Sequence, residues 1–364
     1  MKPAIPEHLL AIEPYKPGRP IEEVERELGL AGTIKLASNE NPLGPSPKAL
    51  AALARSLAGV HRYPEGGAVV LAERVAAKLA VPPDRLAFGN GSNELIELLA
   101  RVFVAGGGEM VISADAFLVY RLVAASLRAP CVAVPARAHH HDLVAMAAAV
   151  GPNTRIVFIA SPNNPTGTIV RSAEWRAFLA KVPEEVVIVV DQAYREYVDD
   201  PDYADALADL DAHPGLVVLR TFSKIYGLAG LRIGYAIGSR DIIAALHRIR
   251  QPFNVNSLAQ AAALAALDDD EHVARSQALV RRSRGFWAES LARLGLRAVP
   301  SQANFLLIEV GDGVRVTDAM LQLGVIVRPM AAYGLPEMVR ITFGTEAEDE
   351  RCVAALTRAL RGTA

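Results

Sequence analysis

From about residue 46 onward, short apolar and β-branched runs alternate with stretches whose apolar positions recur at helical spacing. The runs Arg85 to Phe88 (RLAF), Met110 to Ser113 (MVIS), Cys131 to Val134 (CVAV), Arg155 to Ala160 (RIVFIA), Val186 to Val190 (VVIVV) and Leu216 to Leu219 (LVVL) predict strands, and RIGYAIG (Arg232 to Gly238) predicts another. Continuous apolar runs lack the alternation of a half-exposed strand, so helices are expected over both faces of their sheet. Asn93 to Phe103, Tyr120 to Leu127 and Ser172 to Lys181 supply such helices. The prediction is an α/β large domain with a doubly wound, mostly parallel sheet. Near Asp268, Asp269, Asp270 and Glu271 the pattern becomes a long, Arg-dotted helical stretch followed by strands NFLLIEV, VIVR and VRITF, which predicts a smaller α+β domain.

The opening twenty residues are interrupted by Pro3, Pro6, Pro14, Pro17 and Pro20. Each proline lacks a donor and restricts its predecessor, so this segment is expected to be an extended arm lying on another surface, such as a partner subunit. The expected division is an arm over 1–30, a large domain over 46–267, and a small domain from 31–45 with 268–364. The prolines also rule out the continuous apolar stretch of a signal peptide or membrane helix, so an uncleaved, soluble chain is expected.

Composition narrows the chemistry. Lys+Arg 38 against Asp+Glu 40 gives a formal charge of -2, with no basic block to bind nucleic acid or an anionic membrane. Cys131 and Cys352 stand alone, which argues against a disulfide framework or zinc site and for a reducing cytoplasm. His139, His140 and His141 have no acidic or cysteine ligands at matching spacing, so they are read as a solvated run, and no metal is expected.

Ligands of open α/β sheets collect beyond the carboxyl ends of the strands, and the residues there are polar: GNGSNE after Phe88, SPNNPTG after RIVFIA, DQAY after VVIVV, TFSK after LVVLR. Gly91, Ser92 and Asn93 turn into a helix and offer free N–H groups to an anion such as phosphate, although a plain glycine turn fits the loop equally well. Glu94 stands where a dinucleotide fingerprint needs glycine. Asn164 can donate its amide to a ligand oxygen, and the Asn164-Pro165 bond is expected to be cis. Asp191 ends a strand of apolar residues and is expected to have a cationic partner; a helix N-cap is the bland alternative. Tyr194 lies three residues on. Phe222, Ile225 and Leu228 surround Lys224, which predicts a buried amine of lowered pKa, nucleophilic near neutral pH.

With these segments assembled, the chain resembles the fold-type-I aminotransferases, and among them the histidinol-phosphate aminotransferase family. PYKPGRP, KLASNENPLGPSP, RYPEGG, SPNNPTG, DQAY, TFSKIYGLAGLRIG, QPFNVN and VRITFGT carry the likeness nearly end to end. The resemblance implies pyridoxal phosphate held by Lys224 as a Schiff base, with Asp191 on the ring nitrogen and Asn164 and Tyr194 on the ring hydroxyl. It implies a phosphate cup of Gly91, Ser92, Asn93, Ser223 and Arg232, completed by Tyr63 from the neighbouring subunit of a homodimer. Phe117 falls at the ring-stacking position, where many relatives have tyrosine. Gln192 stands where a glutamate is common. Arg340 matches the residue that grips the substrate carboxylate, and Arg328, with Tyr15 of the arm, matches those near the substrate phosphate.

The implied reaction is ping-pong transamination between glutamate and imidazole-acetol phosphate, giving 2-oxoglutarate and histidinol phosphate in histidine biosynthesis. An aromatic amino-acid aminotransferase is the alternative reading. A phosphate-substrate decarboxylase and a non-catalytic ligand-binding protein are more distant ones.

Overall fold

The apolar runs form the centre of the molecule. The computed structural model describes residues 4–362, so Pro3 at the start of the arm and the last residues of the 268–364 segment lie outside the described residues. Chain order gives β1 (Ile34–Lys35), β2 (Leu86–Gly89), β3 (Glu109–Ser113), β4 (Cys131–Val134), β5 (Thr154–Ala160), β6 (Val187–Asp191), β7 (Leu216–Thr221) and β8 (Gly234–Ile237). After them come β9 (Arg297–Val299), β10 (Phe305–Glu309), β11 (Val325–Ile326), β12 (Arg328–Pro329) and β13 (Met338–Thr342). The 7-stranded sheet runs β2-β8-β7-β6-β5-β3-β4. Its pairs are parallel except those of β8, which is antiparallel to β2 and β7. Side chains on one sheet face, such as Val111, Val157 and Ile188, join one core cluster, while Met110, Ile156 and Val189 join another on the opposite face. This two-sided burial is why the runs do not alternate.

The segments after the sheet build a 4-stranded sheet, β12-β13-β10-β9, whose pairs are antiparallel. The acidic cluster that marks the change of pattern is a helix start. Asp269 accepts the His272 N–H and precedes the helix Asp270–Leu294, which ends on left-handed Gly295. VIVR, expected as one strand, is divided between sheets: β11 pairs parallel with β1, whereas β12 pairs with β13. Pro329 has no N–H to donate, and β12 accordingly lies at a sheet edge.

Two other expectations need correction. The 1–30 segment is not extended throughout, because Glu7–Leu10 is a helical turn and Ile21–Leu28 a helix beginning directly after Pro20. No proline interrupts residues 21–28, and Val24 anchors that helix against Ala37 and Ile326. The histidine run is not uniformly solvated either. His141 is buried with Nε2 2.8 Å from the Ala160 carbonyl, and burial pushes its pKa down to about 4. His139 Nδ1 lies 3.2 Å from Asp115. Among the described residues no His/Cys/Asp/Glu group is placed to hold a metal ion, and no helix is long and apolar enough to cross a membrane. Both cysteines are free.

Candidate active site

Beyond the carboxyl ends of β3, β5, β6 and β7 lies a cavity of about 260 Å³. Ser92, Asn93, Phe117, Asn164, Asp191, Tyr194, Ser223, Lys224, Arg232, Arg328, Arg340 and Tyr15 all line it. Strand ends converge at this edge because parallel strands share a direction, so residues far apart in sequence become neighbours.

Lys224 follows β7 on a turn anchored by buried Phe222 and Ile225. Its Nζ donates to the Ser38 carbonyl at 3.3 Å and lies 5.5 Å from the Tyr194 ring centroid. Burial first, and then the nearby Arg340 and Arg232 charges, push the amine pKa down to about 8, while Glu40 opposes them. An amine with a substantial neutral fraction at physiological pH can act as a nucleophile and a proton carrier.

Asp191 is the last residue of β6 and is buried. The cationic partner expected for it is absent among the described residues. Its Oδ2 accepts the Tyr120 hydroxyl at 3.0 Å and its Oδ1 the Ala193 N–H at 3.1 Å, and Lys224 acts only through space. The second of these bonds closes an Asx turn and is no helix cap. Burial pushes the carboxyl pKa upward against these contacts. An ionised carboxylate here is suited to a cation brought by a ligand.

Gly91 has φ +79, a conformation that L side chains rarely adopt, and precedes the helix Ser92–Val104. A Cβ at Gly91 would fall 2.5 Å from Arg232 Nη2, so the guanidinium lies directly against the loop. A Cβ at Gly234 would meet the Ser92 nitrogen at 2.6 Å. Glu94, which broke the dinucleotide pattern, ties the loop down: its Oε2 accepts Asn90 N–H at 2.6 Å and Asn254 Nδ2 at 2.7 Å. Helix-terminal N–H groups, two hydroxyl or amide side chains and a guanidinium together form an anion cradle. The loop is therefore more than a glycine turn.

Arg340, on β13, is 6% exposed. It donates through Nη1 to Asn164 Oδ1 and through Nη2 to the Ala37 carbonyl at 2.7 Å, with the guanidinium 5.2 Å from the Phe305 centroid. Because Asn164 Oδ1 is the acceptor, its Nδ2 is free to donate to a ligand. The Asn164-Pro165 bond is cis as expected, and the Ser161-Pro162 bond is cis as well. Arg328 sits opposite Arg340 in the β12–β13 register and stacks 5.2 Å from the ring of Tyr15, so this arm residue reaches the cavity of its own chain. Tyr63 does not enter that cavity; it is 83% exposed and stacks on Phe253 at 4.8 Å.

Some residues of the site went unassigned from sequence. Tyr120, buried and stacked 4.8 Å from Phe158, carries Asp191 and packs edge-on against Phe117 at 5.8 Å. Its position three residues after Phe117, one helical turn along, was the available signal. Asn39 and Ser38, within KLASNENP, come from the segment between β1 and β2 and touch Tyr194 and Lys224. Gln192 bridges Arg220, which donates to its Oε1 at 3.0 Å, and Asp205, which accepts from its Nε2 at 3.1 Å.

Residues 31–356 match the family described as aminotransferase class I and II. The chain is 50% identical over 361 residues to the histidinol-phosphate aminotransferase of Anaeromyxobacter sp. (strain Fw109-5), covering 98% of this chain and 99% of that one. It is also 50% identical to histidinol-phosphate aminotransferase 1 of Cupriavidus pinatubonensis (strain JMP 134 / LMG 1197), over 98% of this chain and 96% of that one. Among solved structures, the histidinol-phosphate aminotransferase of Sinorhizobium meliloti in complex with pyridoxal-5'-phosphate superimposes with a TM-score of 0.90 at 28% identity, covering 98% and 97% of the two chains. With the match spanning the whole fold and a lysine, a carboxylate and an anion cradle gathered at its strand ends, the chain belongs to the class I and II aminotransferases, in the histidinol-phosphate aminotransferase family.

Proposed function

We propose that this chain is a pyridoxal-phosphate-dependent aminotransferase that moves an amino group between glutamate and imidazole-acetol phosphate, forming histidinol phosphate in histidine biosynthesis. The observation that carries the reading is one cavity holding an amine of pKa about 8, a buried carboxylate without a cation, and a cradle in which a Cβ at Gly91 would strike Arg232. Those features fit the cofactor part by part. Ser92, Asn93, Ser223 and Arg232 would hold its phosphate, Asp191 its ring nitrogen, Asn164 and Tyr194 its ring hydroxyl, and Phe117 its ring face. When bound, pyridoxal phosphate supplies an aldehyde carbon that takes up the amino group and a cationic ring that draws electrons from the substrate Cα–H bond.

The protein's own residues do the rest. Asp191 would keep a proton on the ring nitrogen, because neutralising that cation would leave its carboxylate buried without an opposite charge. Nζ of Lys224, close to the place where the aldehyde carbon would lie, would take the substrate Cα proton and return it to that former aldehyde carbon. Arg340 binds the substrate carboxylate. Arg328 and Arg340 are direct cross-strand neighbours of like charge, an arrangement that costs free energy unless an anion lies between or before them. This supports substrates with a second anionic end: the phosphate of histidinol phosphate in one half-reaction, the distal carboxylate of glutamate in the other. In the same reading, residues 46–267 bind the cofactor, and residues 31–45 with 268–364 bring the two arginines to it. Exposed Tyr63, with exposed Leu57, Val60 and Val70 close to it in sequence, supports a homodimer in which Tyr63 completes the partner's site. A cytoplasmic enzyme follows from the pathway.

Initial rates with histidinol phosphate and with phenylalanine, each paired with 2-oxoglutarate, test the assignment. Histidinol phosphate should be favoured in kcat/KM by roughly 100-fold, the worth of one or two charge-assisted bonds to phosphate. A preference for phenylalanine would instead establish the aromatic amino-acid reading.

A further inference from the structure

Asn39 lies in the segment between β1 and β2, is 1% exposed, and holds a left-handed backbone with φ 56. Three hydrogen bonds around it define a consistent assignment of protons. The Asn39 backbone N–H can only donate, and it does so to Thr342 Oγ1 at 2.9 Å. The Thr342 hydroxyl must therefore send its own hydrogen elsewhere, and it reaches Asn39 Oδ1 at 3.1 Å. With the amide oxygen so identified, the group facing Tyr194 at 2.9 Å is Nδ2, which can only donate. The Tyr194 oxygen is thus an acceptor on its protein side. Its hydrogen has no acceptor among the described residues, and Tyr194 lines the cavity.

Resting on the function proposed above, we infer that Asn39, held by Thr342, is a positioning residue that turns the Tyr194 hydroxyl proton into the cavity and makes Tyr194 an obligate donor to the cofactor's ring oxygen. Asn304 Nδ2 secures the loop by donating to the Asn39 carbonyl at 3.1 Å. Thr342 lies two residues beyond Arg340 on β13, so the two side chains share a strand face. The strand that grips the substrate also sets the proton at the cofactor. A local contact between Tyr194 and Asn39 thus links the two halves of the site.

The isosteric change Asn39→Asp reverses the polarity, since a carboxylate accepts the Tyr194 hydrogen instead of donating to its oxygen. Asn39→Gly keeps the left-handed backbone and removes both contacts, leaving the Tyr194 proton free to turn either way. The full chain of each variant is titrated with pyridoxal phosphate and with deoxypyridoxal phosphate, which lacks the ring hydroxyl, and the affinity ratio is measured within each variant. The native protein should prefer the hydroxylated aldehyde by about tenfold more than Asn39→Asp does, the worth of one hydrogen bond. Asn39→Gly should fall between them, and the preference of Asn39→Asp should return as pH falls and the new carboxyl protonates into a donor. Thr342→Val should lose part of the preference and Thr342→Ser should keep it, which covers the case of a poorly folding Asn39→Asp. Equal ratios in native protein and Asn39→Asp, or a loss in Asn39→Gly as large as in Asn39→Asp, overturn the inference. A chain in which neither aldehyde gives a borohydride-reducible adduct at Lys224 contradicts the proposed function instead.

Discussion

Lys224 shows how a site can be set by neighbours that its own segment does not reveal. Its apolar flanks already pointed to burial, but Arg340, the next largest influence on its amine, and the opposing Glu40 and smaller Arg232 contributions arrive from other elements. The amine pKa is lowered to about 8, so the neutral, nucleophilic form gains population as pH rises through that value. Capture of pyridoxal phosphate by the full chain, followed by absorbance, should therefore rise through a midpoint near pH 8 and level off above it. Arg340→Gln removes a positive neighbour, and the midpoint should move upward; a midpoint that stays or falls would show that Arg340 does not act on the amine. Asp191 makes the opposite case. Its carboxyl pKa is raised by burial, so ionisation there opposes folding at neutral pH. Asp191→Asn should leave the melting temperature of the ligand-free chain unchanged or higher. It should nevertheless lower kcat by on the order of 100- to 1000-fold, the usual cost of one preorganised electrostatic group. A variant that is destabilised and still fully active would contradict both roles. The need for compensation at Asp191 was legible from the run VVIVV before it, whereas the Tyr120 hydroxyl that meets it was not, because helix Val119–Ser126 and strand β6 meet only in the folded chain.

Among the elements, the turn from β2 into the helix Ser92–Val104 carries the most local information. GNGSNE identified a turn able to hold an anion, since glycine and a helix start are local properties. What separates it from an ordinary glycine turn is Arg232, whose guanidinium closes the loop from the segment before β8. Arg232 itself holds φ 56, and this explains why RIGYAIG becomes a strand only from Gly234. Gly91→Ala must strain a φ of +79 and displace that guanidinium. A left-handed alanine costs about 1–2 kcal/mol on its own. Cofactor affinity of Gly91→Ala, measured by equilibrium dialysis, should fall by tenfold or more with the circular dichroism of the helices preserved. Native affinity would show that the cradle is not where the phosphate sits. The VIVR run illustrates the reverse limit: its β-branched residues favour extended chain, but the pairing partners that divide it, β1 and β13, are far away in sequence.

At the scale of the whole molecule, several exposed apolar residues fall within residues 57–70, around Tyr63 in sequence. Leu57, Val60, Val70 and Tyr63 are each more than half exposed, and Phe253 lies under the Tyr63 ring. Sedimentation should show a dimer. Chains bearing Lys224→Ala and chains bearing Tyr63→Ala should regain activity when mixed and reassociated, because each hybrid has one site with both residues intact. Mixtures no more active than the average of the parents would place Tyr63 outside the partner's site. The order of segments, the buried two-faced sheet, and the buried lysine and strand-end carboxylate were determined by sequence alone, because apolar periodicity, proline and glycine act within a few residues of where they stand. The direction of β8, the division of VIVR, the helix inside the arm, the burial of His141 and the hydrogen bonds joining Asn39 to Thr342 and Tyr194 were decided by tertiary structure. Each of these depends on which distant groups meet. Hydrogen bonds and electrostatic shifts act over a few ångströms in space, with no regard for separation along the chain.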